Sequence, residues 1–343
     1  MGTALPARIL IVRLGALGDV VNALALANAL KLARPDVHIG WACHGLALPL
    51  VTDHPSIARV HVWRRGSGPA GWIEVLREIR AERYDVALDL QRLTKSALLT
   101  RLSGATRCIG FDRKRAKEGS WIWSRERVSA ASFERPMAEQ ALDFARYMGI
   151  EAPVVELDLP RHSEAEAWAE NWLGKHRAAP ILLNLGATKP ANRWPAAHWG
   201  LLARRLGEWG PNPIVLTGGP DDRLVASVAS KAAAAPILDL VGETSLVQLI
   251  ALQRRAALVI SCDTGPMHTA AAVGAPVLAL FGAADERRTG PYGQIQYVQR
   301  TRPDCAPCGK RACPLPRHAC MLDLTVEAVY EAAVRRLGAT QRR

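Results

Sequence analysis

Two successive series of short aliphatic or β-branched runs, each run followed by a helix-length amphipathic stretch, constrain this chain more than any other feature. In the first series residues 8–13, 37–43, 58–63, 85–90 and 107–111 read as strands, with helices expected near 19–33, 71–83 and 95–102. The pattern restarts near residue 180, with strands at 180–185, 213–217, 236–241, 257–262 and 276–281 and helices near 196–208, 221–234, 245–254 and 266–273. Several runs of this second series open on proline, a residue tolerated at a first strand position. Between the series a helix near 136–148 leads into Glu151-Ala-Pro-Val-Val-Glu-Leu-Asp-Leu-Pro160, an extended, proline-bearing linker. A chain of 343 residues also exceeds what one hydrophobic core usually serves. The expectation is an α/β protein with two Rossmann-like, doubly wound domains, 1–160 and 161–343, facing a cleft at the carboxyl ends of their strands, where open parallel sheets bind ligands. The last helix of the second domain has the option of packing back on the first.

With 49% hydrophobic and 22% charged residues, the composition is that of a globular protein and excludes disordered and fibrous classes. The formal charge of +12 favours anionic partners. Basic residues bunch between Arg101 and Arg127, either as a solvated loop or as a platform for an acidic acceptor. A nucleic-acid surface is not expected, since a basic stripe patterned with aromatics for base stacking is not evident. Leu14 to Leu30 is apolar but carries Asp19, and Thr264 to Ala284 holds three glycines and two prolines, so neither reads as a membrane span. A cytoplasmic protein is expected. Cys43, Cys108 and Cys262 lie in apolar stretches and should pack as small core residues. Cys305, Cys308, Cys313 and Cys320 are clustered, the first pair with zinc-knuckle spacing; a structural zinc, free loop thiols and disulfides all remain open.

Three motifs fall where a strand hands over to a helix. Gly15-Ala-Leu-Gly18-Asp19 follows the first strand, and its glycines let backbone approach a ligand. Asp19 already places a carboxylate at the positive helix end and argues against a phosphate site there. It is either a plain N-cap or a base aimed into the cleft to accept a proton from a substrate hydroxyl. In Asp263-Thr264-Gly265-Pro266-Met267-His268 the free N–H groups of a helix start, the Thr264 hydroxyl and His268 suit a diphosphate without any metal. Gly186-Ala-Thr188-Lys189 with Arg193-Trp194-Pro195 adds donors and two cations able to balance charge on a leaving nucleotide diphosphate. No Asp-x-Asp pair for a magnesium-bound nucleotide sugar occurs, so no cofactor is expected for catalysis.

Taken in order, Arg13-Leu-Gly-Ala-Leu-Gly-Asp19, Gly186-Ala-Thr-Lys189, Arg193-Trp-Pro195, Gly218-Gly219-Pro-Asp-Asp222, Gly242-Glu-Thr-Ser-Leu246 and Asp263-Thr-Gly-Pro-Met-His268 resemble the bacterial ADP-heptose:lipopolysaccharide heptosyltransferases, glycosyltransferase family 9. The resemblance spans residues 8 to about 330. It implies a GT-B fold and an inverting, metal-independent transfer from ADP-heptose with Asp19 as base. It also implies donor contacts from Thr188, Lys189, Arg193, Thr244, Asp263, Thr264, Gly265, Pro266 and His268. Asp89-Leu-Gln-Arg-Leu-Thr-Lys-Ser96 and Gly110-Phe-Asp-Arg113 are most similar to the members that add the first heptose to Kdo. That likeness implies a Kdo-lipid A acceptor met on the inner face of the cytoplasmic membrane, with Gln91, Lys95, Arg113 and Lys114 on the acceptor side. The second heptosyltransferase of the pathway and a non-catalytic nucleotide-sugar or nucleic-acid binding protein are the alternatives. Two positions depart from the family pattern: Asn192 stands where a lysine is usual, and Arg92 where a glycine is common.

Overall fold

The structure, a computed structural model, describes residues 5–129, 132 and 134–340. The chain divides into two compact units, Met1–Pro160 and Arg161–Arg343. Each is built on one six-stranded sheet in which every pairing is parallel.

In the first unit the strands are β1 (Arg8–Val12), β2 (His38–Cys43), β3 (Arg59–Val62), β4 (Val86–Asp89), β5 (Arg107–Phe111) and β6 (Glu126–Val128), in the spatial order β3-β2-β1-β4-β5-β6. The second unit contains β7 (Ile181–Asn184), β8 (Ile214–Thr217), β9 (Leu238–Asp239), β10 (Leu258–Cys262), β11 (Val277–Phe281) and β12 (Val298–Arg300), in the order β12-β11-β10-β7-β8-β9. Counted from its own first strand, the second sheet repeats the order of the first. In both, the chain starts at the centre, winds outward to one edge and returns to the centre to wind the other way. The reversal falls between β1 and β4 in one unit and between β7 and β10 in the other. Those are the topological switch points where doubly wound sheets open a crevice for a ligand.

Both faces of each sheet are covered, which is why the strands read as continuous apolar runs. In the second unit Leu183, Leu216, Ile260 and Leu280 point toward Trp199, Leu202 and Ala229. The alternate residues Leu182, Val215, Val259 and Ala279 meet Ala169, Leu252 and Met267 on the other side. The helix Val326–Thr340 buries Val329, Ala333 and Leu337 in the core of this same unit. The apolar stretch near Leu14–Leu30 is the helix Leu17–Ala33, buried nearly all round and packed on Met137–Tyr147. Among the described residues no helix is long and apolar enough to cross a membrane. Elements absent from the sequence expectation include the edge strands β6 and β12, the helix Ser163–Leu173 directly after the 151–160 segment, and the short helices Leu48–Val51, Glu286–Thr289 and Ala319–Leu322.

Candidate active site

The Gly15–Asp19 turn sits at the carboxyl end of β1, and its geometry excludes the plain N-cap role for Asp19. The helix is capped by Ala16 without a side-chain bond, and Asp19 lies in the first turn. Its carboxylate pairs with the Arg13 guanidinium, whose other Nη donates to the Leu90 carbonyl. Arg13 is nearly fully buried, whereas the Asp19 side chain keeps 34% of its surface. A buried cation thus fixes an acid that still faces solvent, a geometry suited to a base that must meet a substrate hydroxyl.

Across the switch point, the strand-end of β4 braces this turn. The Gln91 side-chain oxygen accepts hydrogen bonds from the backbone N–H groups of Leu14 (3.0 Å) and Gly15 (3.4 Å). Its own backbone N–H donates to the Asp89 carboxylate at 3.0 Å, as does that of Arg92 at 3.3 Å. Gln91, expected on the acceptor side, spends its carbonyl oxygen on holding the turn that carries Asp19. Arg92 occupies its family-divergent position at φ +69°, in the left-handed region that glycine adopts without strain. Its side chain is buried over the Phe111 ring.

Burial pushes the Asp89 carboxyl up to about 6, against the opposing pull of its hydrogen bonds from Ser96, Gln91 and Arg92 and of the Arg13 charge. Because the folded pKa lies above the unfolded one, the stability this acid contributes is complete below about pH 4 and is lost as pH rises through about 6. Asp89→Asn should remove that slope, and thermal midpoints of both proteins between pH 4 and 7 check it.

Of the basic run, several members prove structural. Arg115 is buried, donates to Asp143 (3.0 Å) and Gln140 (2.9 Å), and stacks on Phe111. Arg107 forks onto Glu126. Arg113 and Lys114 are exposed after β5, Arg113 lying over Trp121, and Lys95 is exposed over Trp63. These three are at the same sheet edge as Asp19.

The second unit gathers its motifs the same way. Gly186–Arg193 follows β7, Gly218–Asp222 follows β8, Thr244 follows β9 and Asp263–His268 follows β10, all at one carboxyl edge. Thr264 is the N-cap of the helix Gly265–Ala272 and makes no side-chain cap bond, and Pro266 is in its first turn. His268 is buried with Nε2 3.9 Å from the Asp263 carboxylate. Asn192 stitches this switch point: its Nδ2 donates to Asp263 Oδ2 at 3.0 Å and contacts the Asp263 carbonyl at 3.4 Å. The residue in the lysine position therefore orients Asp263 and brings no charge of its own. Arg193 is exposed and donates through Nε to the Ala187 carbonyl, while Thr188 and Lys189 are exposed beside it. Thr244 is half-buried one residue ahead of Ser245, which caps the next helix.

Sequence reasoning missed Asp222. Its carboxylate accepts from the Gly219 N–H at 2.9 Å and fills the space a Cβ would take at Gly186 (2.3 Å) and Gly218 (3.0 Å). The glycines of two motifs thus make room for one acid that ties the β7 and β8 turns together. The signal was present in Gly218-Gly219-Pro-Asp-Asp222, but only the fold shows which glycines it serves. Cys43, Cys108 and Cys262 are buried, with the Cys43 and Cys262 thiols pushed up to about 12 by burial, so all three pack as expected. Among the described residues no three His, Cys, Asp or Glu side chains are set as a ready coordination shell.

Two doubly wound units, each with its candidate residues at the switch point, are the layout of the GT-B architecture. The chain belongs to glycosyltransferase family 9, the heptosyltransferase family, whose model matches residues 72–319. It is 30% identical over 330 residues to lipopolysaccharide heptosyltransferase 1 of Pseudomonas aeruginosa, covering 89% of this chain and 87% of that protein. Its fold is similar to a family 9 glycosyltransferase from Veillonella parvula, with a TM-score of 0.82 at 23% identity over 96% of this chain and 97% of that one. It is also similar to an E. coli heptosyltransferase solved with ADP-2-deoxy-2-fluoro heptose, with a TM-score of 0.72 at 24% identity over 96% and 99%.

Proposed function

We propose that this transferase moves L-glycero-D-manno-heptose from ADP-heptose to Kdo of lipid A, with inversion, while peripheral on the inner face of the cytoplasmic membrane. The observation that carries the reading is the Asp19 carboxylate, held by buried Arg13 at the switch point of the first unit yet open to solvent. The Kdo hydroxyl oxygen attacks the anomeric carbon of heptose as Asp19 takes its proton. The bond from that carbon to the diphosphate breaks, and ADP leaves. The start of the helix Gly265–Ala272, with Thr264, Gly265, Pro266 and His268, receives the diphosphate. Lys189 and Arg193 offset the charge that develops on it, and Asp263, oriented by Asn192, faces the heptose hydroxyls. Thr188 and Thr244 add hydroxyl contacts to the nucleotide sugar. Lys95, Arg113 and Lys114 attract the anionic acceptor. No metal is required, because helix N–H groups and cations perform the charge balancing.

The deciding experiment is turnover of ADP-heptose with defined acceptors. Kdo-terminated lipid A should be used; use of only a heptose-terminated acceptor would move the chain to the second step of the pathway. Donor binding without transfer to either would remove the enzymatic reading. His268→Ala should weaken ADP binding by roughly 10- to 100-fold, the worth of one hydrogen bond to a charged group, as read by calorimetry.

A further inference from the structure

After β12 the chain runs from residue 301 to 318 without helix or strand, a length that compact domains seldom leave unsupported. This loop has almost no core of its own, since most of its residues are exposed. What it does have is sulfur. Cys305, Cys308 and Cys313 in the loop, and buried Cys320 in the helix Ala319–Leu322 that follows it, line a single cavity of roughly 90 Å³, with Lys310 and His318 on the wall. All four are free thiols, drawn from positions up to fifteen residues apart to one place.

The loop is tied at both ends of the cavity to the donor side of the second unit. The Arg311 carbonyl accepts from the Ala191 N–H at 3.1 Å, and the His318 ring bonds the Ala191 carbonyl at 3.0 Å. Ala191 adjoins Asn192, which orients Asp263. Gly309 N–H reaches the Ala283 carbonyl at 2.7 Å.

We propose that Cys305, Cys308, Cys313 and Cys320 form a tetrathiolate site for one thiophilic divalent cation, which locks the 301–318 loop against the Pro190–Asn192 turn. Four soft sulfur ligands, two of them in a Cys-x-x-Cys pair, fit a tetrahedral zinc-type ion and disfavour hard cations. The thiols surround the cavity without forming a ready shell, so binding draws the exposed Cys305 and Cys308 inward. Each thiol gives its proton to solvent as its metal–sulfur bond forms, leaving a site of charge −2 that Lys310 on the wall partly offsets.

The test uses the full chain, reduced and stripped of metal, titrated with Co(II). One equivalent should bind with the near-ultraviolet sulfur-to-cobalt charge-transfer band of a tetrathiolate, and Zn(II) should displace it. Cys308→Ser, at an exposed position, should weaken binding at least about 100-fold, while Cys108→Ala, a buried thiol elsewhere, leaves it unchanged. Hydrogen exchange at the Ala191 and Gly309 amides should slow on metal binding. Absence of the band, or a Cys308→Ser protein that binds as well as the parent, overturns the site. Unchanged exchange at Ala191 overturns the lock. None of these readouts needs a sugar substrate, so the outcome is independent of the proposed transfer reaction.

Discussion

Asp19→Asn leaves a protein that binds ADP-heptose within a few-fold of the parent and transfers heptose about 10³-fold more slowly, the scale expected when a positioned general base is lost. The amide keeps the shape of the side chain and removes its capacity to accept the acceptor proton. Arg13 retains the Leu90 carbonyl and loses its charged partner. Arg13 is nearly fully buried, so the loss of its charged partner costs about 1–3 kcal/mol of stability, moderated by the third of the Asp19 side chain that lies in solvent. A cooperative melt well above the assay temperature, together with intact donor binding, would assign the lost rate to chemistry. Turnover near the parent rate would remove Asp19 as the base.

The second large effect lies far from any polar chemistry. Gly200→Val should unfold or severely weaken the Arg161–Arg343 unit. The helices Ala196–Trp209 and Arg223–Ala233 cross so closely that a Cβ on Gly200 would lie 2.1 Å from the Ala229 carbonyl oxygen and 2.9 Å from the Ala233 nitrogen. Both obstacles are backbone and cannot rotate away, so the helices must separate along a core that includes Trp199 and Leu202. Overpacking of this kind costs about 3 kcal/mol or more, a fall in melting temperature of roughly 6–12 °C for a unit of this size. Gly207 on the same helix is the control. It is exposed, and an added Cβ would meet only Ile214 at 3.9 Å. Gly207→Ala should therefore stabilise by about 0.5–1 kcal/mol, the usual gain of alanine over glycine within a helix. If both substitutions act alike, helix propensity outweighs the crossing and the close-contact argument fails.

These two glycines mark the limit of what a linear reading detects. Both sit in one amphipathic helix and nothing in their neighbours separates them; the difference is a second helix that arrives more than twenty residues later. The strand and helix series were legible because buried parallel strands need unbroken apolar runs and covering helices need an apolar stripe, and both patterns are local. Three-residue strands such as β6 and β12 at the sheet edges are too short to show a period. The helix Ser163–Leu173 did carry a local signal, a serine start with Glu164 and Glu166 in the first turn.

The candidate site divides along the same line. Strand-to-helix handovers were enough to single out Asp19, Gly186–Arg193 and Asp263–His268, because a ligand-facing turn at the end of a buried strand demands glycine, a helix start and polar side chains within a few residues. The sequence by itself thus determined a pair of doubly wound α/β units and the candidate segments at their strand ends. Only the tertiary structure decided the partners: Arg13 on Asp19, Gln91 under Leu14 and Gly15, Asn192 on Asp263, and Asp222 against Gly186 and Gly218. Arg13 and Asp19 are six residues apart and Asp222 and Gly218 four, whereas Gln91 with Leu14, Asn192 with Asp263 and Asp222 with Gly186 join segments 77, 71 and 36 residues apart. Side-chain hydrogen bonds at such separations leave no period or composition in the chain. They exist because the reversal of winding order brings the ends of β1 and β4, and of β7 and β10, side by side.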